Sequence, residues 1–185
     1  NPRQWRTLRD WPFYCRCFWM TPPALPAEST LPAPVLVVED EPLIRQRLQV
    51  VLAHLGYTPD ALVMAGTLAE ARACLASDPV ALALVDLGLP DGSGIDLIAE
   101  LRAADPTLGI LVISAWSTED AILAALRAGA TGYVLKERDD LEVTLSIRSV
   151  LRGGAPIDPF MARRIMAELY PALQPDAAPR TPEAI

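Results

Sequence analysis

The sequence of 185 residues has little of the chemistry that disulfide scaffolds, histidine-based sites and nucleic-acid surfaces need. Its one histidine, His54, has no second imidazole or nearby cysteine, and we interpret it as a helix-end residue with no catalytic role. Cys15 and Cys17 form a C-x-C pair without further ligands, and Cys74 lies in a predicted helix, which favours a reduced, cytoplasmic protein. No apolar run is long enough to span a membrane, and a net charge of -7 disfavours direct nucleic-acid binding.

The chain does contain short apolar runs that each end in a polar or charged residue. The runs are 35–38, 81–85, 110–113 and 132–135, and they are followed by Glu39 and Asp40, by Asp86, by Ser114 and by Lys136, respectively. Parallel strands finish on the same side of a sheet, so strands formed by these runs would bring all of these groups to one edge.

Such a group of side chains suits phosphoryl transfer. Acidic residues hold a divalent hard cation through oxygen atoms, and Asp86 is an ionised nucleophile at neutral pH that needs no general base. Lys136 and Ser114 would neutralise charge on the transferred oxygens. Taken singly, each residue also fits an ordinary role, such as a helix cap for Ser114 or a surface lysine for Lys136. Their combination favours a shared site.

The motifs resemble those of the receiver domain of two-component response regulators. The matching segments are 37–42, 84–94, 113–115 and 128–136, and the resemblance covers roughly residues 34–153. It implies an α/β fold of the flavodoxin-like (βα)5 type, in which a five-stranded parallel sheet carries helices on both faces. The repeated alternation of apolar runs and amphipathic stretches agrees with this architecture.

The resemblance also implies a phosphoacceptor and a metal site. Asp86 would accept a phosphoryl group from a sensor histidine kinase or a phosphotransfer protein. Glu39, Asp40 and Asp86, with the backbone carbonyl of Gly88, would bind Mg2+. A phosphatase of the haloacid dehalogenase type needs a second aspartate at the position of Gly88, so we do not expect an enzyme beyond slow self-dephosphorylation.

Further residues would form the switch that the family uses. Ser114 would move to hydrogen-bond the phosphoryl group, Lys136 would pair with that group, and Tyr133 would turn inward when Ser114 moves. Gly88 and Trp116 would flank the phosphoryl group. Because Gly88 has no side chain to position water and Trp116 would shield the site, we hypothesise that the phosphoryl group is hydrolysed slowly.

Glu137 departs from the common family pattern, in which a proline follows the lysine. The isomer of the 136–137 peptide bond is therefore left open. Glu137 resembles the acidic residue of the subfamily with a LuxR/NarL-type helix-turn-helix output. The family further implies a possible homodimer after phosphorylation, on the surface formed by the last two helices and the last strand.

Both ends of the chain lie outside the matching unit. Residues 1–33 are an expected N-terminal extension in which Met20 fits a natural start. Residues 154–170 are predicted as a linker with a short helix, and residues 171–185 as a proline-rich linker toward a DNA-binding output domain that is absent. The alternative is a stand-alone or phosphorylation-independent receiver that acts as a protein-interaction module.

Two local patterns give finer expectations. A strand is predicted near 57–63, after a first helix that stops at Gly56. Thr67 followed by Glu70 predicts a capping box at the start of the next helix, in which each residue bonds the other's backbone amide.

Overall fold

The computed structural model describes residues 31–116 and 118–157, together with residues 162, 163 and 166. The described residues from 31 onward belong to one compact unit. The predicted N-terminal extension, apart from residues 31–33, lies outside the described residues, as do most of the short helix of the predicted linker and residues 171–185.

The apolar runs form one parallel sheet of five strands. Their burial on both faces is typical of parallel strands covered by helices. The order across the sheet is β2-β1-β3-β6-β7, with β1 Val35–Val38, β2 Leu62–Ala65, β3 Leu82–Val85, β6 Gly109–Ser114 and β7 Gly132–Leu135. A small antiparallel hairpin follows β3 and consists of β4 Gly88–Leu89 and β5 Gly92–Ser93.

Five α-helices cover the sheet on both sides. They are α1 Pro42–Leu55, α2 Leu68–Ser77, α3 Gly94–Ala104, α4 Glu119–Ala128 and α5 Asp140–Leu151. One apolar cluster joins the sheet to α2, α3 and α4, and a second joins it to α1 and α5. The predicted five-stranded α/β fold with helices on both faces is confirmed. Within the described part of the chain, no helix is both long and apolar enough to span a membrane.

The predicted strand near 57–63 is wrong in its position. Pro59–Ala61 form a 3₁₀ turn, and β2 begins only at Leu62. Pro59 has no N–H for a strand ladder and a φ that suits the first position of a helical turn, which explains the delay. Tyr57 is buried instead in the cluster beneath α1 and α5.

The predicted capping box at α2 is half correct. Thr67 Oγ1 accepts a hydrogen bond from the amide of Glu70 at 3.1 Å, as expected. The Glu70 carboxylate accepts from the amide of Gly66 at 2.7 Å, one residue before the expected donor. The carboxylate of Asp91 accepts from the amides of Leu68 and Ala69, so the hairpin after β3 is tied to the start of α2.

Candidate functional site

The carboxyl ends of four neighbouring strands bring the predicted residues to one edge of the sheet. The register pairs Val38 with Val85 at the ends of β1 and β3, and it pairs Ser114 with Leu135 at the ends of β6 and β7. The charged residues that follow β1, β3 and β7 therefore start from the same edge of the sheet, as the sequence predicts.

The ammonium group of Lys136 is held by three carboxylates. Its Nζ lies 2.8 Å from Glu39 Oε1, 2.9 Å from Asp86 Oδ2 and 2.9 Å from Glu41 Oε1. The side chains of Glu39 and Asp86 are 1% and 5% exposed, whereas Glu41 is 58% exposed. Burial by itself would lower the pKa of Lys136, but the hydrogen bonds to these carboxylates outweigh it and raise the pKa, so the side chain is a cation.

The acidic residues form a cluster beside this cation. Glu39, Asp40 and Asp86 each offer a carboxylate oxygen, and the three atoms lie within 4.8 Å of one another. Burial raises the pKa of Glu39 above its ordinary value, although the hydrogen bond from Lys136 opposes this. Glu39 Oε2 is buried and has no hydrogen-bond partner among the described residues. A magnesium ion fits this donor set, because it prefers oxygen ligands and would satisfy the unpartnered oxygen.

Asp86 is fixed at the end of β3 by both of its carboxylate oxygens. Oδ1 accepts a hydrogen bond from the amide of Leu87 at 2.7 Å, while Oδ2 accepts from Lys136. The main-chain carbonyl of Asp86 is also closely packed, since a Cβ at Gly94 would lie 2.0 Å from that oxygen. Gly94 begins α3, so only a residue without a side chain lets this helix start so near the acceptor.

Ser114 and Tyr133 lie side by side in the interior. Both are buried, and Ser114 Oγ accepts from the amide of Trp116 at 3.3 Å. The Tyr133 hydroxyl donates to the carbonyl of Trp116, so the ring is turned inward. Burial raises the pKa of Tyr133 to about 12; a hydrogen bond with Ser114 lowers it slightly and the charge of Asp86 raises it. The phenol is therefore protonated at neutral pH and able to donate.

Trp116 and Gly88 face each other beside the acid cluster. The position of a Cβ on Gly88 would be 3.7 Å from Cζ2 and Nε1 of the Trp116 indole. Trp116 is 47% exposed, so its indole lies beside the backbone of Gly88 and is partly in solvent. The structure thus places all the predicted site residues together.

The residues 35–148 match the family model of the response regulator receiver domain, which is more than half of the chain. The chain belongs to this family. The receiver is 33% identical over 142 residues to the DNA-binding transcriptional activator DevR/DosR of Mycobacterium tuberculosis, covering 76% of this chain and 64% of that protein. It is 35% identical over 141 residues to the photosynthetic apparatus regulatory protein RegA of Rhodovulum sulfidophilum, covering 74% of each.

A solved receiver structure has the same fold. The crystal structure of a two-component response regulator of the LuxR family from Aurantimonas sp. SI85-9A1 superposes with a TM-score of 0.63 at 26% identity, covering 75% of this chain and 99% of that one. The chain spans less than two thirds of DevR/DosR.

Sequence reasoning missed a residue that positions the receiver's lysine. Arg47 of α1 donates to the carbonyl of Lys136 at 2.6 Å, to the carbonyl of Arg138 and to Asp140 Oδ1 at 2.6 Å. It therefore ties α1 to the loop after β7. No sequence pattern signals a contact between residues so far apart in the chain. Glu41 directly follows the predicted metal ligands Glu39 and Asp40 in the sequence, but its bond to Lys136 was not predicted.

The isomer of the 136–137 peptide bond is settled by the backbone. Among the peptide bonds of residues 31–116 and 118–157, only the bond between Ala33 and Pro34 is cis. The bond between Lys136 and Glu137 is therefore trans. The lysine reaches the carboxylates without a cis bond.

Proposed function

We propose that this receiver accepts a phosphoryl group on Asp86 from the phosphohistidine of a sensor histidine kinase or a phosphotransfer protein. An oxygen of Asp86 attacks phosphorus in line, the new O–P bond forms, and the P–N bond to the histidine breaks with its electron pair passing to the imidazole. The supporting observation is the position of the Asp86 carboxylate, which accepts a hydrogen bond from the Lys136 ammonium and has an oxygen within 4.8 Å of those of two further carboxylates. This donor implies a cytoplasmic location.

The surrounding residues would each serve the transfer. Lys136 already contacts Asp86 and would bind a phosphoryl oxygen after transfer. Glu39, Asp40 and Asp86, together with the carbonyl of Gly88, would hold a magnesium ion. That ion would supply positive charge against the negative charge of the phosphoryl oxygens.

Ser114 and Tyr133 would convert the modification into a change of shape. The phosphoryl group adds about -2 in charge and three acceptor oxygens, and Ser114 Oγ would donate to one of them. Movement of Ser114 favours the inward Tyr133 ring seen here, so phosphorylation biases an existing equilibrium and does not create a new state.

The output that we propose is control of transcription. Support comes from the names of the relatives, which include a DNA-binding transcriptional activator. A helix-turn-helix domain elsewhere in the same protein would bind DNA, and phosphorylated receivers would pair through the surface of α4, β7 and α5. A receiver that works by protein binding without phosphorylation is the alternative.

The decisive experiment is the intact mass of the protein after incubation with acetyl phosphate and Mg2+. We expect one added phosphoryl group in the unmodified protein and none in Asp86→Asn or in a metal-free sample. Asp78→Asn is the matched control, because Asp78 is an exposed aspartate directly after α2 and outside the acid cluster, and it should still gain the group. No gain in the unmodified protein would favour the alternative.

We further propose that the Trp116 indole slows hydrolysis of the acyl phosphate. It lies over Gly88, two residues after Asp86, and would shield that side of the acyl phosphate from water. Trp116→Ala should shorten the half-life of phosphorylated protein several-fold, whereas Trp116→Phe should preserve most of it. A half-life in Trp116→Ala that equals or exceeds the original would contradict the proposed shielding.

A further inference from the structure

The chain does not leave the domain at the end of α5. Gly153 has a φ of 78°, which turns the backbone, and the amide of Gly154 donates to the carbonyl of Ser149 at 2.8 Å. The carbonyl of Pro156 then accepts a hydrogen bond from the amide of Tyr133 at 2.9 Å. Residues 154–157, which we call the strap, therefore lie along β7, beyond the predicted domain boundary at residue 153.

The contact is close as well as hydrogen-bonded. A Cβ on Gly132 would lie 2.7 Å from both Cγ and Cδ of Pro156 and 2.8 Å from its carbonyl oxygen. Such distances are too short for any real contact, so the strap can approach β7 only because residue 132 is glycine. β7 is the last strand of the sheet, and the strap satisfies a backbone donor on its outer side.

The residue that the strap binds is also the predicted switch. The backbone amide of Tyr133 donates to the strap, and its hydroxyl donates to Trp116 in the loop beside the site. Side chains alternate between the two faces of a strand, so Pro156 packs against Gly132 on the α5 face while the Tyr133 ring lies on the α4 face. The strap therefore acts through the backbone from which the ring turns: with Tyr133 inward, the docked strap and Trp116 hold the two ends of one residue.

We propose that docking of the strap on β7 favours the inward position of Tyr133, and that the strap carries the phosphorylation state of Asp86 to whatever follows the receiver. This inference rests on the proposed function. Docking and phosphorylation then stabilise one and the same state. Linkage requires the effect to be reciprocal, so a change that releases the strap must weaken binding of a phosphoryl analogue by the same factor.

The test uses the 185-residue chain, with hydrogen exchange of the Tyr133 amide and titration of beryllofluoride in the presence of Mg2+. Gly132→Ala places a methyl group against Pro156 while keeping a strand backbone, and Pro156→Gly removes the ring while leaving β7 intact. Ala155→Ser is the matched control, because Ala155 is exposed. Two variants on opposite sides of the contact keep the test valid if one of them folds poorly.

We expect faster exchange of the Tyr133 amide in both contact variants and beryllofluoride affinity weakened by about fivefold or more, with Ala155→Ser unchanged. Unchanged exchange would show that the strap is not docked and would overturn the inference. Faster exchange with unchanged affinity would show docking without coupling and would overturn the regulatory role. Failure of the unmodified chain to bind beryllofluoride would overturn both the coupling and the proposed function, while the exchange rates without the analogue would still decide the docking.

Discussion

Replacement of Lys136 by methionine tests the charge balance of the site most directly. Lys136→Met keeps a side chain of similar length but removes the ammonium from between Glu39 and Asp86, which are both buried. Loss of one partner from a buried ion pair destabilises a protein by about 3–5 kcal/mol, because the remaining charge is buried and uncompensated. The third partner, Glu41, is 58% exposed, and an exposed pair contributes no more than about 1 kcal/mol.

We expect a loss of about 3 kcal/mol at neutral pH, the low end of that range, because Glu39 can relieve the repulsion by binding a proton. Burial already raises the pKa of Glu39, and loss of its hydrogen bond from Lys136 raises this pKa further. A carboxyl with a raised pKa in the folded state contributes stability below its unfolded pKa and loses that contribution as the pH rises through the folded pKa. The loss in Lys136→Met should therefore shrink as the pH falls from 7 toward 4.5, the ordinary value for this carboxyl.

The assay is urea unfolding followed by circular dichroism at several pH values, with an unchanged m-value as the sign that both states are comparable. Asp86→Asn in the Lys136→Met background should recover part of the loss, since it removes one of the unpaired charges. Arg72→Met breaks the exposed bond to Glu100 and should have a far smaller effect. A loss below about 1 kcal/mol at neutral pH, or one that grows in acid, would refute the reasoning.

Three other substitutions have expected outcomes. Gly94→Ala should reduce both stability and phosphorylation, because its Cβ would lie 2.0 Å from the Asp86 carbonyl oxygen; a folded variant with the original phosphorylation rate would contradict this. Tyr57→Phe should stabilise the protein by about 1 kcal/mol in urea unfolding, because the buried hydroxyl has no partner among the described residues, and a loss of stability would reveal an unseen one. Arg47→Met should slow phosphorylation by acetyl phosphate without removing it, since Arg47 positions the main chain of Lys136; an unchanged rate would limit Arg47 to a structural role.

The sequence was sufficient to predict the fold and the edge at which the site forms, for a physical reason. Parallel strands that are buried on both faces have continuous apolar sequences. Because these strands all end on the same side of the sheet, the residue after each run lies at a shared edge. Asp86, Ser114 and Lys136 each follow such a run, so their proximity follows from topology alone.

Features that depend on tertiary contact were not predictable in this way. The contact of Arg47 with the loop after β7 joins residues about ninety positions apart, and the strap contact depends on the path of the chain after α5. The delayed start of β2 shows the other difficulty. Pro59 favours a turn, but Tyr57 has a high strand propensity and resembles the start of the strand until its burial beneath α1 is known. Apolar content also does not predict which residues of α5 are buried, since Leu141 and Leu145 are exposed whereas Val143 is buried.

The formal charge of the site indicates why it would need both a divalent metal ion and a lysine that can change its partner. Four carboxylates, those of Glu39, Asp40, Glu41 and Asp86, lie around one ammonium group, which leaves a formal charge of -3 when all are ionised. A phosphoryl group would add about -2, so the unneutralised site repels the group that it is proposed to accept. A divalent cation at the acidic cluster would bring the formal charge of the site to about -1 and so remove most of this repulsion. Lys136 would then have to give up one carboxylate to reach a phosphoryl oxygen, and the bond to exposed Glu41 would be the least costly to break, because water can replace it.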